Sequence, residues 1–578
     1  MTTNTKRGFR FLGSVALPFA IVSTPAFAQT GRELELPPTD VQRDAPQVRR
    51  DDASLAVAPC PFDDPGQPGL AALTAQIDHI RFQRPDGSDI APELAASLSG
   101  VTAPGGVRPL KTICDLRDAA NAALRADKWL ASVVIPQQEL TGTLKLNVVS
   151  ARITEIRVEG DVGPFAAQLR QRLDALGKLD PLNERDAERA LLLANELPGV
   201  SLSMSLRPAS GAPGDVIGVV AVDYKRWAMF ANIRNYNSKR IGRETLYSRF
   251  EYYGLTGLSD ITYAGFSSTI DFSEQLIAQV GHEFGVGSSG TRVGAALTKA
   301  WSKPDIANLD LATDTLIGRL EVSQPLVRTP TLFADATVGF DYIDQKTEII
   351  NLPLNRDKIR TFFLRGDVST RGEQVGGNRR WRASGFAEVR KGTSFFGATG
   401  TDARGFAQTD GISASRPFGN AQAWILRGGA DAFLSFDRVG LRGRFEGQWA
   451  NDPLLNFEEY AVGNLTIGRG YDPGANSGDR AVAVSFEGSV NLVKAAKYDV
   501  DAYAFYDFVR LENLDPRSPE ATRSLDSVGG GLRLFLTKGL SFDLTYARPL
   551  KRALFNDAKR PPDRVLFSIT AQFPALFR

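Results

Sequence analysis

The stretch from Glu459 to Glu487 reads EYAVGNLTIGRGYDPGANSGDRAVAVSFE. Its first part has the composition of a long loop and places Arg469 between two glycines, and its last part alternates from Ala481 to Ser485. A second alternating strand, Arg564 to Phe573, lies close to the end of the sequence. A glycine-flanked arginine in a long loop, set among strands with one apolar and one polar face, predicts an outer-membrane β-barrel in which one loop folds back into the pore.

Alternation of apolar and polar residues dominates the segment 225–578, which we assign to the barrel. Between Leu441 and Trp449, for example, apolar side chains alternate with Arg442, Arg444 and Glu446, which we expect to line the lumen. A transmembrane strand takes about 9 to 11 residues, so this segment accommodates about 16 antiparallel strands. A soluble β-sandwich also alternates, but this number of strands and the long polar connections favour a barrel.

The N-terminus predicts export. Lys6, Arg7 and Arg10 precede an apolar run that ends in the small-x-small pattern Ala26-Phe27-Ala28, so residues 1–28 are interpreted as a signal peptide. Residues 29–72 are rich in proline and are interpreted as an extended linker, with at most a weak plug segment.

Two units of the same β-α-α-β-β order are expected between the linker and the barrel, over 73–152 and 153–224. In the first unit, the predicted elements are strand Ile77–Phe82, helices Pro92–Leu98 and Leu110–Ala126, and strands Ala131–Ile135 and Thr143–Val149. In the second, they are strand Ile153–Val158, helices Ala166–Leu176 and Glu184–Leu197, and strands Ser201–Leu206 and Val216–Asp223. The two units form a repeat of architecture without obvious repetition of sequence.

The two cysteines, Cys60 and Cys114, both fall early in the mature chain. In an oxidising periplasm we expect them to form a disulfide, although two buried free thiols are the alternative. Neither a metal site nor an enzyme is predicted, because the chain has only two histidines and no nucleophile elbow, phosphate-binding loop or zinc-protease motif. A net charge of +2 gives no basic surface for nucleic acid.

Several of these motifs resemble those of one known family. The segment Trp129–Val149 resembles the end of that family's first POTRA domain, a small periplasmic module, and Glu188–Leu193 followed by Leu197–Val200 resembles the second. The family's inward-folded loop is matched by Glu459-Tyr460, Gly463, Arg469, Gly470, Tyr471, Gly478 and Asp479. Phe505 and Asp507 match a Phe-x-Asp-x-Gly strand motif, although Val509 replaces its glycine and Gly468 replaces the Val or Ile before Arg469.

The family comprises the outer-membrane transporters of two-partner secretion, of the haemolysin secretion/activation type (TpsB; ShlB/FhaC/HecB), within the BamA-like superfamily. The resemblance implies two periplasmic POTRA domains followed by a 16-stranded barrel, and a loop whose Arg469 pairs with an acidic residue on the barrel wall. Strand parity independently places Asp507 on the lumen face, together with Asp499 and Asp501. Cys60 and Cys114 fall where many members carry a cysteine pair.

The function implied is translocation of a large secreted exoprotein, recognised unfolded in the periplasm and exported without nucleotide or cofactor. Other implied partners are the lipid of the Gram-negative outer membrane and, during biogenesis, the barrel-assembly machinery. One alternative is a BamA-like assembly factor, which shares the inward loop but usually has more POTRA modules. A second is a passive porin, which needs no periplasmic recognition modules.

Overall fold

The structure, a computed structural model, describes residues 48–50, 60, 62, 73–305, 310–373, 379–495, 497–536 and 539–573. The predicted signal peptide and almost all of the linker, including any plug segment, lie outside these residues. The described chain forms two compact units. One contains 48–225 with 328–330, and the other contains 226–327 with 331–573.

The N-terminal unit contains two mixed α/β modules. Its elements are β1 (Val48–Arg50), β2 (Thr74–Gln83), α1 (Pro92–Leu98), β3 (Val107–Pro109), α2 (Lys111–Ala126), β4 (Ala131–Val134), β5 (Gly142–Ser150), β6 (Arg152–Gly160), α3 (Ala166–Leu173), α4 (Glu184–Asn195), β7 (Val200–Pro208) and β8 (Asp215–Tyr224). The first module has the sheet order β3-β2-β5-β4 and the second β1-β7-β8-β6. The predicted order of elements is therefore confirmed, and β1 and β3 are additions that sequence patterns missed.

Each module has a core between its helices and its sheet. In the first, Ile113, Ala120 and Leu124 recur on one face of α2 at helical spacing and pack against the alternate residues Leu144 and Leu146 of β5. The second module has its own core, built from α3, α4 and the inner faces of β7 and β8. These contacts explain why helical periodicity and strand alternation predicted both modules.

Backbone hydrogen bonds join the two modules directly. The amide of Leu130 donates to the carbonyl of Leu182 at 3.0 Å, and the amide of Ala151 donates to the carbonyl of Leu130 at 2.7 Å. The amide of Leu182 returns a bond to Ala151 at 3.1 Å. β5 ends at Ser150 and β6 begins at Arg152, so a single residue connects the two modules. The backbone hydrogen bonds described above fix this connection.

The second unit is a closed antiparallel barrel of 16 strands. Its strands are β9 (Trp227–Arg234), β10 (Thr245–Tyr253), β11 (Ile261–Thr269), β12 (Gln275–Val286), β13 (Thr291–Ser302), β14 (Leu311–Arg328), β15 (Leu332–Ile349), β16 (Leu352–Glu373), β17 (Arg379–Gly392), β21 (Trp424–Phe436), β22 (Val439–Ala450), β25 (Arg480–Lys494), β26 (Tyr498–Glu512), β27 (Thr522–Leu536), β28 (Leu540–Pro549) and β29 (Arg564–Phe573). Short strands in two connections take the intervening numbers: β18 (Gly400–Thr401), β19 (Ala407–Thr409), β20 (Ile412–Ser413), β23 (Tyr460–Ala461) and β24 (Ser477–Gly478). The predicted strand number is confirmed.

The barrel closes where its last strand pairs with its first, from Ser568 opposite Arg234 to Phe573 opposite Met229. Asn232 reinforces this seam, because its side-chain amide donates to Ser568 Oγ at 2.8 Å and to Thr570 Oγ1 at 2.9 Å. Closure leaves no unpaired sheet edge, as a barrel in lipid requires.

The two faces of the barrel wall differ as alternation predicts. Large apolar side chains that are more than half exposed cover the outside, among them Leu320, Val338, Leu364, Phe486, Leu544 and Val565. Side chains of the same strands on the inner face include Arg319, Asp341 and Asp543, which form ion pairs. Longer connections gather at one end of the barrel, including 393–423 and 451–479, as in outer-membrane barrels. Among the described helices, none has the length and apolarity needed to span a bilayer.

Candidate functional site

The connection 451–479 between β22 and β25, which we call the pore loop, folds into the barrel. Its short strands β23 and β24 pair with each other, so the loop returns on itself as a hairpin. Tyr460, Val462, Ile467 and Tyr471 of the loop are almost completely buried and pack in a cluster with wall residues such as Leu511. The inward-folded loop predicted from the sequence is therefore present, with an apolar core of its own.

Arg469 lies at the tip of the pore loop and contacts the barrel wall with every part of its guanidinium group. Nε and Nη2 donate to the two carboxylate oxygens of Asp507 at 3.1 and 2.9 Å, and the backbone amide of Arg469 donates to the same carboxylate at 2.9 Å. Nη1 donates to Glu487 at 2.7 Å, and Nη2 also donates to Ser485 Oγ at 2.9 Å. The planar fork of arginine suits such a two-point pairing with a carboxylate.

The position of these partners shows how far the loop enters. Ser485 and Glu487 lie five and seven positions after Arg480, the first residue of β25. At a rise of about 3.4 Å per residue, the tip contacts the wall roughly 17 to 24 Å along the strand from its end. The loop thus occupies the lumen and does not merely cover its mouth.

The aromatic ring of Phe505 contacts the same guanidinium group. Its ring centroid lies 3.5 Å from Arg469 Cζ, the distance of a cation–π contact. The ring has room because β27 carries glycine opposite it: a Cβ on Gly529 would come within 2.7 Å of Phe505 Cζ. Phe505 and Asp507, which the sequence motif grouped, therefore both contact Arg469.

Glu487 connects Arg469 to a second arginine on the wall. Arg533 donates to Glu487 at 2.6 Å and to Asp543 at 2.8 Å, so charges of alternating sign run from the loop across the wall. Sequence reasoning missed Glu487, Arg533 and Asp543. Alternation in β25, β27 and β28 places all three on the lumen face, but it does not indicate which residues meet.

The residues after Arg469 bind other parts of the barrel. The Tyr471 hydroxyl donates to the carbonyl of Asp526 at 2.9 Å and accepts from the amide of Lys551 at 3.2 Å. Asp472 accepts a hydrogen bond from Arg243 at 2.9 Å and forms an ion pair with Arg564 of β29 at 2.9 Å. Gly470 fits tightly, since a Cβ there would lie 2.7 Å from the backbone nitrogen of Pro549.

At the beginning of the pore loop the charges are reversed: the loop contributes the anion, and the barrel wall contributes the cations. Glu458 accepts from Arg390 of β17 at 3.0 Å and from Arg427 of β21 at 2.5 Å. Arg390 also binds Asp341 of β15 at 3.0 Å. All of these side chains except Arg427 are less than 7% exposed, and Arg427 is 9% exposed, so a buried network anchors the loop to a different part of the wall.

Asp479, the last residue of the pore loop, binds residues from three connections that lie at the same end of the barrel. Its fully buried carboxylate accepts from the amides of Leu454 and Leu514, each at 2.7 Å, and pairs with Arg416 of the connection 393–423. Arg416 also lies 2.8 Å from Glu459. Gly478 allows the neighbouring backbone to approach Glu512, since its Cβ would lie 3.0 Å from that carbonyl.

The connection 393–423 is a second covering segment that the sequence did not indicate. Its strands β18, β19 and β20 form a small sheet. Ala407, Ala414 and Ala421 are buried in one apolar cluster with Leu455 and Phe457 of the pore loop. The sequence analysis did not single out this connection, because its small side chains resemble those of an ordinary polar connection.

The predicted lumen residues Arg442, Arg444 and Glu446 lie on the inner face of β22. Arg442 donates to Asp431 at 2.6 Å, and Arg444 donates to Glu446 at 3.3 Å. Glu446 additionally accepts from the hydroxyl of Tyr460 at 2.9 Å. Arg442 and Arg444 line a cavity that Arg469 also borders, so space remains beside the loop tip.

The structure joins Cys60 and Cys114 in a disulfide with a Cα–Cα distance of 5.8 Å. Cys114 lies in α2 and is buried in the first module. In the part of the chain that the structure describes, no group of three or more His, Cys, Asp or Glu side chains is arranged to hold a metal ion.

Comparison with known proteins matches this architecture to one family. A family model described as "Haemolysin secretion/activation protein ShlB/FhaC/HecB" matches residues 214–534. The chain belongs to this family. It is 22% identical over 486 residues to the heme/hemopexin transporter protein HuxB of Haemophilus influenzae strain 86-028NP, an alignment that covers 78% of this chain and 80% of HuxB.

Solved structures agree on the fold. CdiB from Escherichia coli superimposes with a TM-score of 0.67 at 18% identity, covering 89% of this chain and 94% of CdiB. CdiB from Acinetobacter baumannii superimposes with a TM-score of 0.62 at 15% identity, covering 89% and 93%. Membership of the ShlB/FhaC/HecB family makes the chain an outer-membrane transporter of two-partner secretion in a Gram-negative bacterium. It also decides against the assembly-factor and porin alternatives.

Proposed function

We propose that the two N-terminal modules are POTRA domains, over 73–152 and 153–224, that receive one large unfolded exoprotein in the periplasm. The exoprotein then crosses the membrane through the barrel 225–578, without catalytic chemistry and after the pore loop has left its anchors. The barrel-assembly machinery inserts the barrel during biogenesis. The observation that carries this proposal is the set of polar anchors on the pore loop, which occupies the path that an exported chain must take.

The anchors suit a reversible closure. Arg469, Glu458 and Asp479 each reach different neighbours through charged contacts, whereas a permanent plug needs only apolar packing. Two charged groups of the wall retain a partner when the loop leaves, because Glu487 keeps Arg533 and Arg390 keeps Asp341. The lumen therefore remains electrostatically satisfied in part when open, which lowers the free-energy cost of release.

Export by this protein is tested first by deleting its gene in the native host. We expect one large secreted protein to disappear from the medium and to accumulate, partly degraded, in the periplasm. The amounts of other outer-membrane proteins should stay the same. Normal secretion together with depleted outer-membrane proteins would contradict the proposal.

Loop release is tested by a reversible tether. The backbone amide of Arg469 lies 2.9 Å from the Asp507 carboxylate, so cysteines at these two positions fall within reach of a short bis-thiosulfonate cross-linker. We expect the cross-linked Arg469→Cys/Asp507→Cys variant to block secretion and bilayer conductance, and cleavage of the tether to restore the level seen before linking. Wild-type protein given the same reagents controls for Cys60 and Cys114. Full secretion through the tethered barrel would show that the loop does not have to leave.

A further inference from the structure

The lumen contains a cavity of about 210 Å³ beside the tip of the pore loop. In the part of the chain that the structure describes, two carboxylates line this cavity, those of Glu487 and Asp543. The arginines that line it are Arg234, Arg442, Arg444, Arg469 and Arg533. The cavity is far larger than one water molecule needs, and an excess of cations along its wall attracts anions.

Four of these five arginines already have carboxylate partners. The pairs are Arg442–Asp431, Arg444–Glu446, Arg469–Asp507, Arg469–Glu487, Arg533–Glu487 and Arg533–Asp543. The fifth, Arg234, has no carboxylate at ion-pair distance among the described residues. Its titratable neighbours are Tyr236, whose ring centroid lies 5.6 Å from Arg234 Cζ, and Tyr247. Because arginine stays protonated in proteins, one positive charge at the cavity lacks a counter-ion.

The backbone fixes the position of Arg234. It is the last residue of β9, and it follows Phe230 and Asn232 at the alternate spacing that places all three on the lumen face. Thr245 of β10 lies opposite Arg234 on one side and Ser568 of β29 on the other, so Arg234 stands at the seam where the barrel closes. An anion bound there meets a cation on a rigid strand.

The pore loop contributes a second group to the same cavity. The side-chain atoms Nδ2 and Oδ1 of Asn464 are both buried, and neither has a hydrogen-bond partner within the described ranges. A buried amide without partners is costly, as is a buried charge without a counter-ion. Water can satisfy the amide but carries no charge to offset Arg234. A group with negatively charged oxygens removes both deficits, since it pairs with the guanidinium and accepts from Nδ2.

We propose that this cavity is an oxyanion site, in which a carboxylate or phosphate group pairs with Arg234 of the wall and accepts a hydrogen bond from Asn464 of the pore loop. Because the two partners belong to the wall and to the loop, the bound group is a further contact that holds the loop tip in the lumen. Such a group has two sources: free phosphate, and acidic side chains of a polypeptide that enters the pore. The second source rests on the proposed function, whereas binding itself does not.

Equilibrium dialysis of the full-length protein in detergent against radiolabelled inorganic phosphate measures the site directly. We expect one phosphate per wild-type chain and an affinity at least about tenfold weaker in Arg234→Gln, because a charge-assisted bond is lost. Arg234→Lys keeps the charge and should bind more tightly than Arg234→Gln, and Asn464→Ala should weaken binding about threefold. Arg319→Gln is the matched control, since it removes a cation from the inner face outside this cavity. The heat-modifiable gel shift verifies that each variant is folded.

Competition with capped peptides distinguishes the two sources. Capped Gly-Glu-Gly carries one carboxylate, and capped Gly-Gln-Gly is its neutral counterpart. Displacement of phosphate by the glutamate peptide alone would assign the site to acidic side chains, and displacement by neither peptide would assign it to the free ion. Absence of phosphate binding by the wild type would overturn the inference, as would equal affinity in Arg234→Gln, an equal loss in Arg319→Gln or equal displacement by both peptides. Secretion is not measured, so a failure here is separable from a failure of the proposed function.

Discussion

Replacement of Arg469 by alanine is the most direct test of the pore-loop anchor. The change removes both guanidinium bonds to Asp507, the bonds to Glu487 and Ser485, and the contact with Phe505. Asp507 is 1% exposed and retains uncharged partners, among them the backbone amide of residue 469 at 2.9 Å and Ser527 Oγ at 3.5 Å. The variant thus leaves a buried carboxylate without its counter-charge.

The size of the effect follows from this burial. Removing one partner of a buried ion pair costs about 3 to 5 kcal/mol. At about 1.4 kcal/mol per factor of ten, the equilibrium between docked and released loop shifts roughly 100- to 4,000-fold toward release. Arg469→Lys should recover only part of this loss, because lysine cannot form the two-point contact with Asp507.

Planar-bilayer recordings measure the released population as the fraction of time that a single channel is open. We expect Arg469→Ala to raise that fraction strongly and to impair regulated secretion, while the heat-modifiable shift of the folded barrel on gels is unchanged. Arg442→Ala is the matched control, since Arg442 pairs with Asp431 on the wall itself. Wild-type conductance and wild-type secretion in Arg469→Ala would refute the assignment of this residue as an anchor.

Three further predictions address other parts of the molecule. Arg416→Ala removes the cation that pairs with Asp479, so limited proteolysis of intact cells should cleave the connection 393–423 faster than in the wild type. Cys114→Ser opens a covalent link across 54 positions, which should destabilise the first module by about 4 kcal/mol and raise its protease sensitivity. Gly468→Val should raise the open fraction of the channel, because Gly468 has φ +121° and a Cβ there would lie 2.7 Å from Val462 Cγ1.

Two of these have a control variant within the chain, and each has an outcome that would contradict it. Arg404 lies in the same connection as Arg416 but is largely exposed and pairs only locally, so equal cleavage of Arg404→Ala and Arg416→Ala variants would contradict the role of Asp479. For the disulfide, unchanged protease sensitivity of Cys114→Ser, or equal migration on reducing and non-reducing gels, would count against the link. Gly468→Ala should perturb the channel less than Gly468→Val, and wild-type behaviour of both would show that the loop tolerates a Cβ there.

The spacing of apolar residues predicted most of the fold, because strands and helices each have their own characteristic repeat. Alternation placed β29 at Arg564–Phe573, the bounds that the structure has. It also placed Asp507 on the lumen face through its neighbours on β26. Helix ends were less accurate: the predicted Ala166–Leu176 ends as an α-helix at Leu173, before a separate short turn at Leu176–Lys178.

The sequence could not predict which charged side chains pair with each other inside the lumen. Parity states which face a side chain occupies, but a barrel of 16 strands places many charged residues on the same inner face. Arg390, Arg427 and Glu487 satisfy the same pattern as Arg442 and Arg444, yet the first three contact the pore loop or its anchor. Long-range contacts of this kind depend on the closure of the barrel, which no local repeat encodes.

The anchors differ in sign, and this restricts how the pore can open. The loop tip presents a cation, Arg469, to the acidic wall at Asp507 and Glu487, whereas its beginning presents an anion, Glu458, to the cationic wall at Arg390. An incoming segment of one charge therefore competes for one anchor and leaves the other in place. Because these pairs are buried, dissolved salt screens them weakly and does not substitute for such competition. Full release then requires a chain that offers both charges, or backbone groups, along its length, as an extended polypeptide does.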